Sequence, residues 1–144
     1  MTTVAWDGIE LAADCMSHFG DTPLRCRKIF KLRAPNGRIG LFGFCGNLTY
    51  ARAYRAWLVG GPEPSGFQAD TQWQVMCIDD TGMVWWRGNT GNAWDAFGRR
   101  QWAFGSGADY ALGAMAAGMS ATTAVRIAAK LDIQTGYGVD VVRF

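Results

Sequence analysis

From Ile39 to Phe44 the chain runs Ile-Gly-Leu-Phe-Gly-Phe without a polar side chain. A strand that is apolar at every position has no face for water, so it needs a covering layer on each side. The stretch before it supplies a partner. Lys28-Ile29-Phe30-Lys31-Leu32 is β-prone, and Asn36-Gly37 between the two is a strong two-residue turn signal. The pattern recurs twice. Thr2 to Trp6 leads through Asp7-Gly8 to Ile9, Leu11 and Ala13, which alternate with Glu10 and Ala12. A third hairpin spans Thr71 to Gly88 and turns near Asp80-Thr81-Gly82, with Trp73, Val75, Cys77, Val84 and Trp86 as its apolar set.

Helical signals fall between and after these hairpins. Leu48, Ala51, Tyr54, Ala56, Trp57 and Leu58 keep helical spacing, with Asn47 as N-cap and Gly60-Gly61 as stop. Gly60 to Asp70 holds Pro62 and Pro64 and cannot continue as a long helix. Asn89 to Arg100 is polar and glycine-rich and reads as a loop, followed by a short strand at Gln101 to Phe104. Asp109–Ala117 and Ala121–Lys130 read as alanine-lined helices, Ser120 capping the second, and Val139 to Phe144 closes the chain as a strand. The sum is an α+β layered domain, an antiparallel sandwich covered by helices, spanning residues 1–144 as one unit.

Composition removes several functions. With 49% hydrophobic residues the chain has material for a core, which excludes a disordered tail. Fourteen basic against 12 acidic residues leave a charge of +2, too little for a nucleic-acid or anionic-membrane binder. No apolar run approaches the ~20 residues of a membrane span, and the start lacks a basic, then apolar, leader, so a cytoplasmic location is expected. Cys15, Cys26, Cys45 and Cys77 form no CxxC pair and His18 is the single histidine, so free thiols, no metal and no cofactor are expected.

Six motifs in order carry more. They are Thr2-Thr3-Val4, Ala12-Ala13-Asp14, Arg27 to Leu32, Gly43-Phe44-Cys45-Gly46, Gly105-Ser106-Gly107, and Asp132-Ile133-Gln134-Thr135-Gly136. Together they resemble the proteasome β-type family of N-terminal-nucleophile (Ntn) hydrolases, above all the small bacterial peptidase subunits that work with ATP-driven unfoldases. The resemblance implies a four-layer αββα sandwich. It also marks a departure, because relatives carry a second helix where this chain has Gly60 to Asp70.

The chemistry it implies is that of a threonine whose hydroxyl is activated by its own α-amine. That amine titrates near pH ~7.7–8.0, and it exists only once Met1 is removed. Thr2 is then the nucleophile, Lys28 the electrostatic activator, and Asp14 the group that holds the lysine. Gly43 is the oxyanion donor, Ser106 the hydroxyl beside the amine, and Asp132 with Thr135 the supporting pair. From the residues alone, Lys28 and Asp14 read rather as part of a solvated basic strand and an ordinary turn carboxylate, and Gly43 reads equally as a packing glycine at a strand end. By the same resemblance Ser17, Cys26, Phe30, Leu41, Cys45 and Thr49 wall the pocket for the residue before the cut. None is charged, which implies cleavage after Leu, Tyr or Phe.

The leading expectation is a threonine-type endopeptidase in a homo-oligomeric chamber, acting on peptides or unfolded protein, with an ATPase unfoldase as candidate partner. Two alternatives stay open. One is an Ntn amidase for a non-peptide amide, and the other is a silent assembly protein that keeps Met1.

Overall fold

The computed structural model describes residues 2–64, 72–89, 91–94 and 100–144, with backbone alone for 91–94. Alternating apolar residues and turn glycines give two large antiparallel sheets. In the first, β1 (Thr3–Trp6) lies between β10 (Trp102–Gly105) and β2 (Leu11–Asp14), and β11 (Val139–Val142) pairs with β2 on the far side. In the second, β5 (Ile29–Arg33), β6 (Ile39–Gly46), β7 (Trp73–Ile78), β8 (Val84–Gly88) and β9 (Gly91–Trp94) follow one another as a meander. The turn glycines Gly8, Gly37 and Gly82 have φ of 98°, 82° and 83°, as the sequence signals require.

The strand that is apolar throughout explains the layering. Along β6, Leu41 and Cys45 face Val4, Leu11 and Phe104 of the first sheet, while Phe42 and Phe44 face α1 (Leu48–Leu58). Each fully buried side chain of this size contributes roughly 1.5–3 kcal/mol, so neither face can be left bare. On the other side of the first sheet, α2 (Ala108–Ala116) and α3 (Ala121–Leu131) pack through Ala111, Ala121, Ala124 and Ala128 onto Ala5 and Ala12. The order is helices, sheet, sheet, helix. Among the described residues no helix is long and apolar enough to cross a membrane.

Helix ends follow the sequence. Asn47 caps α1 by accepting from the Thr49 and Tyr50 N–H groups, and Ser120 caps α3 by accepting from Thr123. Residues 59–64 carry no helix, so α1 alone covers the second sheet among the described residues. The rest of the loop expected at Gly60 to Asp70, from residue 65 on, lies outside them.

Three expectations are corrected and one element is added. Asn89 to Arg100 is not loop throughout, because Gly91–Trp94 adds β9 to the edge of β8, while residues 90 and 95–99 lie outside the described ones. The apolar set of the third hairpin divides: Trp73, Val75 and Cys77 face α1, whereas Val84 and Trp86 face the first sheet. Ile9 does not belong to the buried face of the first hairpin. It sits in the turn at 74% exposure, and Glu10 is buried instead. The Glu10 carboxylate accepts from the Thr122 N–H (3.0 Å) and hydroxyl (2.6 Å) at the start of α3 and pairs with Arg143, while Asp7 accepts from the Ala121 N–H (2.8 Å). A small hairpin unforeseen from the sequence, β3 (Met16–Phe19) with β4 (Thr22–Arg25), projects with Phe19 at 81% exposure.

Candidate active site

The middle position of β1 in its sheet fixes the start of the chain. Thr3 pairs with Gly105 and Val4 with Ala13, so Thr2 lies beside Ser106, just past the end of β10. Only glycines allow this closeness. A Cβ on Gly105 (φ 98°) would sit 2.0 Å from the Thr2 carbonyl oxygen, and one on Gly107 would sit 2.1 Å from Thr3 Oγ1.

Two linked clusters surround Thr2, itself 2% exposed. In one, the Asp14 carboxylate at the end of β2 takes four donors. Its Oδ1 accepts from the Thr3 N–H and from Lys28 Nζ, both at 2.8 Å. Its Oδ2 accepts from the Met16 and Gly136 N–H groups, both at 3.1 Å. Lys28 and Asp14 are 2% and 1% exposed, a buried ion pair. Burial pushes the Lys28 pKa below its usual value, and the Asp14 charge opposes that shift only in part. A single oxygen thus ties the ammonium to the peptide that follows Thr2.

In the second cluster, the Thr2 N–H donates to Ser106 Oγ at 3.2 Å. The Ser106 and Thr135 hydroxyls each donate to Asp132 Oδ2 at 2.6 Å. With the Thr135 proton so used, the Thr3 hydroxyl donates to Thr135 Oγ1 across 2.7 Å. Burial would raise the Asp132 pKa, but the hydrogen bonds from Ser106 and Thr135 outweigh it and hold the carboxyl below its usual value. Thr2, Asp14, Lys28, Ser106, Asp132 and Thr135 therefore meet in one place. Cys45 adds no second nucleophile, since burial pushes its thiol up to about 12 and it stays protonated.

Gly43 does not join them. Phe44 N–H donates to the Lys28 carbonyl (3.1 Å) and Asn47 N–H to that of Gln72 (3.1 Å). Ladder alternation then turns the Gly43 N–H toward β7, and a Cβ there would stand 2.9 Å from Val4 in the inter-sheet core. Its lack of a side chain serves packing. The same alternation turns the N–H of Gly46 (φ 90°) to the opposite side of β6, past the point where β5 begins. Gly46 and Ser106 share a cleft of about 670 Å³ with Cys45, Trp102 and Phe104. Of the two glycines in Gly-Phe-Cys-Gly, the last is the one whose N–H lies outside the β6–β7 ladder.

The six residues expected to wall one pocket are also separated. Leu41 and Cys45 point between the sheets, Phe30 toward α1, Thr49 is exposed on α1, and Ser17 lies on β3. Cys26 and Phe30 do line a cavity of about 320 Å³, together with Phe44, Leu48 and Ala51. Its remaining walls are Arg25, Arg27, Arg52 and Arg55. Where this cavity holds two of the six expected neutral residues, it also holds four guanidinium groups, two of them from α1.

No family model and no curated protein matches the sequence. Solved structures match across its length. BPH from Thiobacillus denitrificans is 18% identical with a TM-score of 0.73, over 100% of this chain and 97% of that one. Anbu, an ancestral β-subunit, from Yersinia bercovieri is 14% identical with a TM-score of 0.78, over 100% and 81%. HslV from Trypanosoma brucei is 16% identical with a TM-score of 0.68, over 98% of each chain. At such identities the likeness is one of architecture, and the chain has a proteasome-like, Ntn-type αββα fold.

Proposed function

We propose that the chain is a threonine-type endopeptidase whose nucleophile is the Thr2 hydroxyl, exposed to chemistry by removal of Met1. One observation carries this reading: Asp14 Oδ1 accepts from both the Thr3 amide and the buried Lys28 ammonium, while Ser106 holds the Thr2 nitrogen. A free amine at Thr2 takes the proton of its own hydroxyl as Oγ bonds to the scissile carbonyl carbon. The nearby Lys28 charge disfavours an already protonated amine and favours the developing alkoxide. The tetrahedral oxyanion lies against the N–H of Gly46, which replaces Gly43 in this role. Collapse breaks the C–N bond, and the ammonium of Thr2 returns the proton to the leaving amine. A water then adds to the ester, giving its proton to the same amine. The acid product leaves and the hydroxyl regains its proton. Asp132, through Ser106 and Thr135, orients the amine.

The homo-oligomer remains part of the proposal. It is supported by exposed Tyr110, Met119, Leu131 and Ile133 along α2, α3 and the loop beyond, and by a fold neighbour described as a β-subunit. An ATP-driven unfoldase is the partner such a chamber would need for folded substrates.

The test combines two masses and a rate. The full chain should lack Met1, take up one equivalent of a peptide vinyl sulfone or epoxyketone at Thr2, and lose peptide hydrolysis as Thr2→Ala. Retained Met1 with no adduct would establish the silent assembly protein instead. An adduct without peptide turnover would point to the non-peptide amidase.

A further inference from the structure

The cavity around Phe30 has a composition that selects a substrate, and this inference rests on the peptidase reading above. Four arginines line it: Arg25 and Arg27 from the segment leading into β5, and Arg52 and Arg55 from α1. Among the described residues, no acidic side chain lines it. Two guanidinium groups flank the aromatic floor, Arg55 at 4.2 Å and Arg27 at 5.2 Å from the Phe30 ring centre. Arg27 is further held by the bond from Nε to the Ile29 carbonyl at 3.0 Å. Arg25 reaches Asp140 only at 3.9 Å with most of its side chain exposed, a contact of little strength.

The cavity wall is joined to the segment that bears Lys28. Arg27 directly precedes Lys28, and Phe44, on its wall, donates its N–H to the Lys28 carbonyl. The Gly46 N–H faces this same side of β6, two residues further on. For a peptide whose carbonyl sits by Thr2 and Gly46, this is the side of β6 toward which the arginine-lined space lies.

We infer that this cavity receives an acidic side chain, so the enzyme cuts after Glu or Asp. Planar guanidinium forks match a carboxylate two bonds at a time, and they lose less hydration than an ammonium would. A lysine or arginine there would meet like charges, and a leucine would leave the guanidiniums facing apolar surface.

Fluorogenic peptides that differ only at the residue before the cut, Glu, Asp, Leu or Arg, read the preference as kcat/KM on the full chain freed of Met1. Glu should exceed Leu by about tenfold or more, with Arg slowest, and the Glu-to-Leu ratio should shrink as added salt shortens the Debye length. Arg52→Glu with Arg55→Glu should move the preference toward Arg. Arg55→Gln, a gentler change, should lower the Glu rate several-fold, mainly through KM, and spare the Leu rate. If Leu peptides are cut as fast as Glu peptides by protein that forms the Thr2 adduct, this inference is overturned and the peptidase reading stands. A salt-independent Glu-to-Leu ratio also overturns it. Absence of any adduct removes both.

Discussion

Replacing Asp14 by Asn should be among the most damaging single changes in this chain, and its cost can be worked from the bonds it serves. The carboxylate accepts four donors at 2.8–3.1 Å while 1% exposed. An amide offers one oxygen, so two donors must face its NH2 group, and the buried Lys28 ammonium loses its counter-charge. Breaking a buried pair from one side costs about 3–5 kcal/mol, out of a total stability of about 5–15 kcal/mol. At roughly 2–4 °C per kcal/mol for a chain near this size, the melting point should fall by about 6–20 °C. Lys28→Met should be milder, about 1.5–3 kcal/mol, because Asp14 keeps three backbone donors. Urea unfolding followed by the fluorescence of the seven tryptophans, at fixed protein concentration, measures each variant and the double variant. The double variant should be less harmed than the sum of the singles. Burial lowers the folded Lys28 pKa below 10.5 and the Asp14 charge opposes this, so losing that charge lowers it further and the Asp14→Asn deficit should shrink as pH rises toward that value. A cost below about 1 kcal/mol, or a Lys28→Met cost exceeding that of Asp14→Asn, would refute the reasoning.

Ser106→Ala and Thr135→Val should slow peptide hydrolysis by on the order of 10–100-fold without loss of fold, measured as kcat/KM, since each removes one hydrogen bond to a charged group. Glu10 and Asp132 have folded pKa values below 4.5 and 3.8 because their hydrogen bonds outweigh burial. Their stabilisation is therefore complete above those values and lost as pH falls through the lowered ones. Urea midpoints taken from about pH 6 to about pH 3 should drop steeply at the acid end, and less so for Glu10→Gln. Sedimentation at micromolar concentration should give a closed multimer, and a mass of one chain would remove the chamber from the proposal.

Much of the architecture was legible because short-range chemistry dictates it. Asp7-Gly8 and Asn36-Gly37 can turn only one way, Asn47 and Ser120 cap where they stand, and an apolar β6 demands two cover layers. Thr2, Asp14, Lys28, Ser106, Asp132 and Thr135 come from five separate segments, so their meeting was readable only from ordered motifs. The places where the sequence reading and the structure part share a cause. Gly43 and Gly46 differ in the side of the ladder their N–H groups face, and Leu41 and Phe30 differ in the side of the sheet. Alternation has a period of two, so a position carried over without it lands on the wrong face half the time. Arg52 and Arg55 escaped notice because their link to Arg27 runs through space between α1 and β5. Glu10 was missed for a similar reason, its partners lying more than a hundred residues away.

Sheet order β10-β1-β2-β11 sets a clock on the making of the chain. Thr3 cannot meet Gly105, nor Asp14 meet Val139, until the ribosome has made those residues. β2 can pair with one edge of β1 almost at once, but at about 5–20 residues per second the edge that takes β10 stays open for roughly 5–20 seconds. During that interval an aminopeptidase can work on a start that the finished fold buries, with Thr2 at 2% exposure. Over the same interval Ser106, Asp132 and Thr135 do not yet exist, so under the proposed function a half-made chain would carry a processed threonine without the groups that use it.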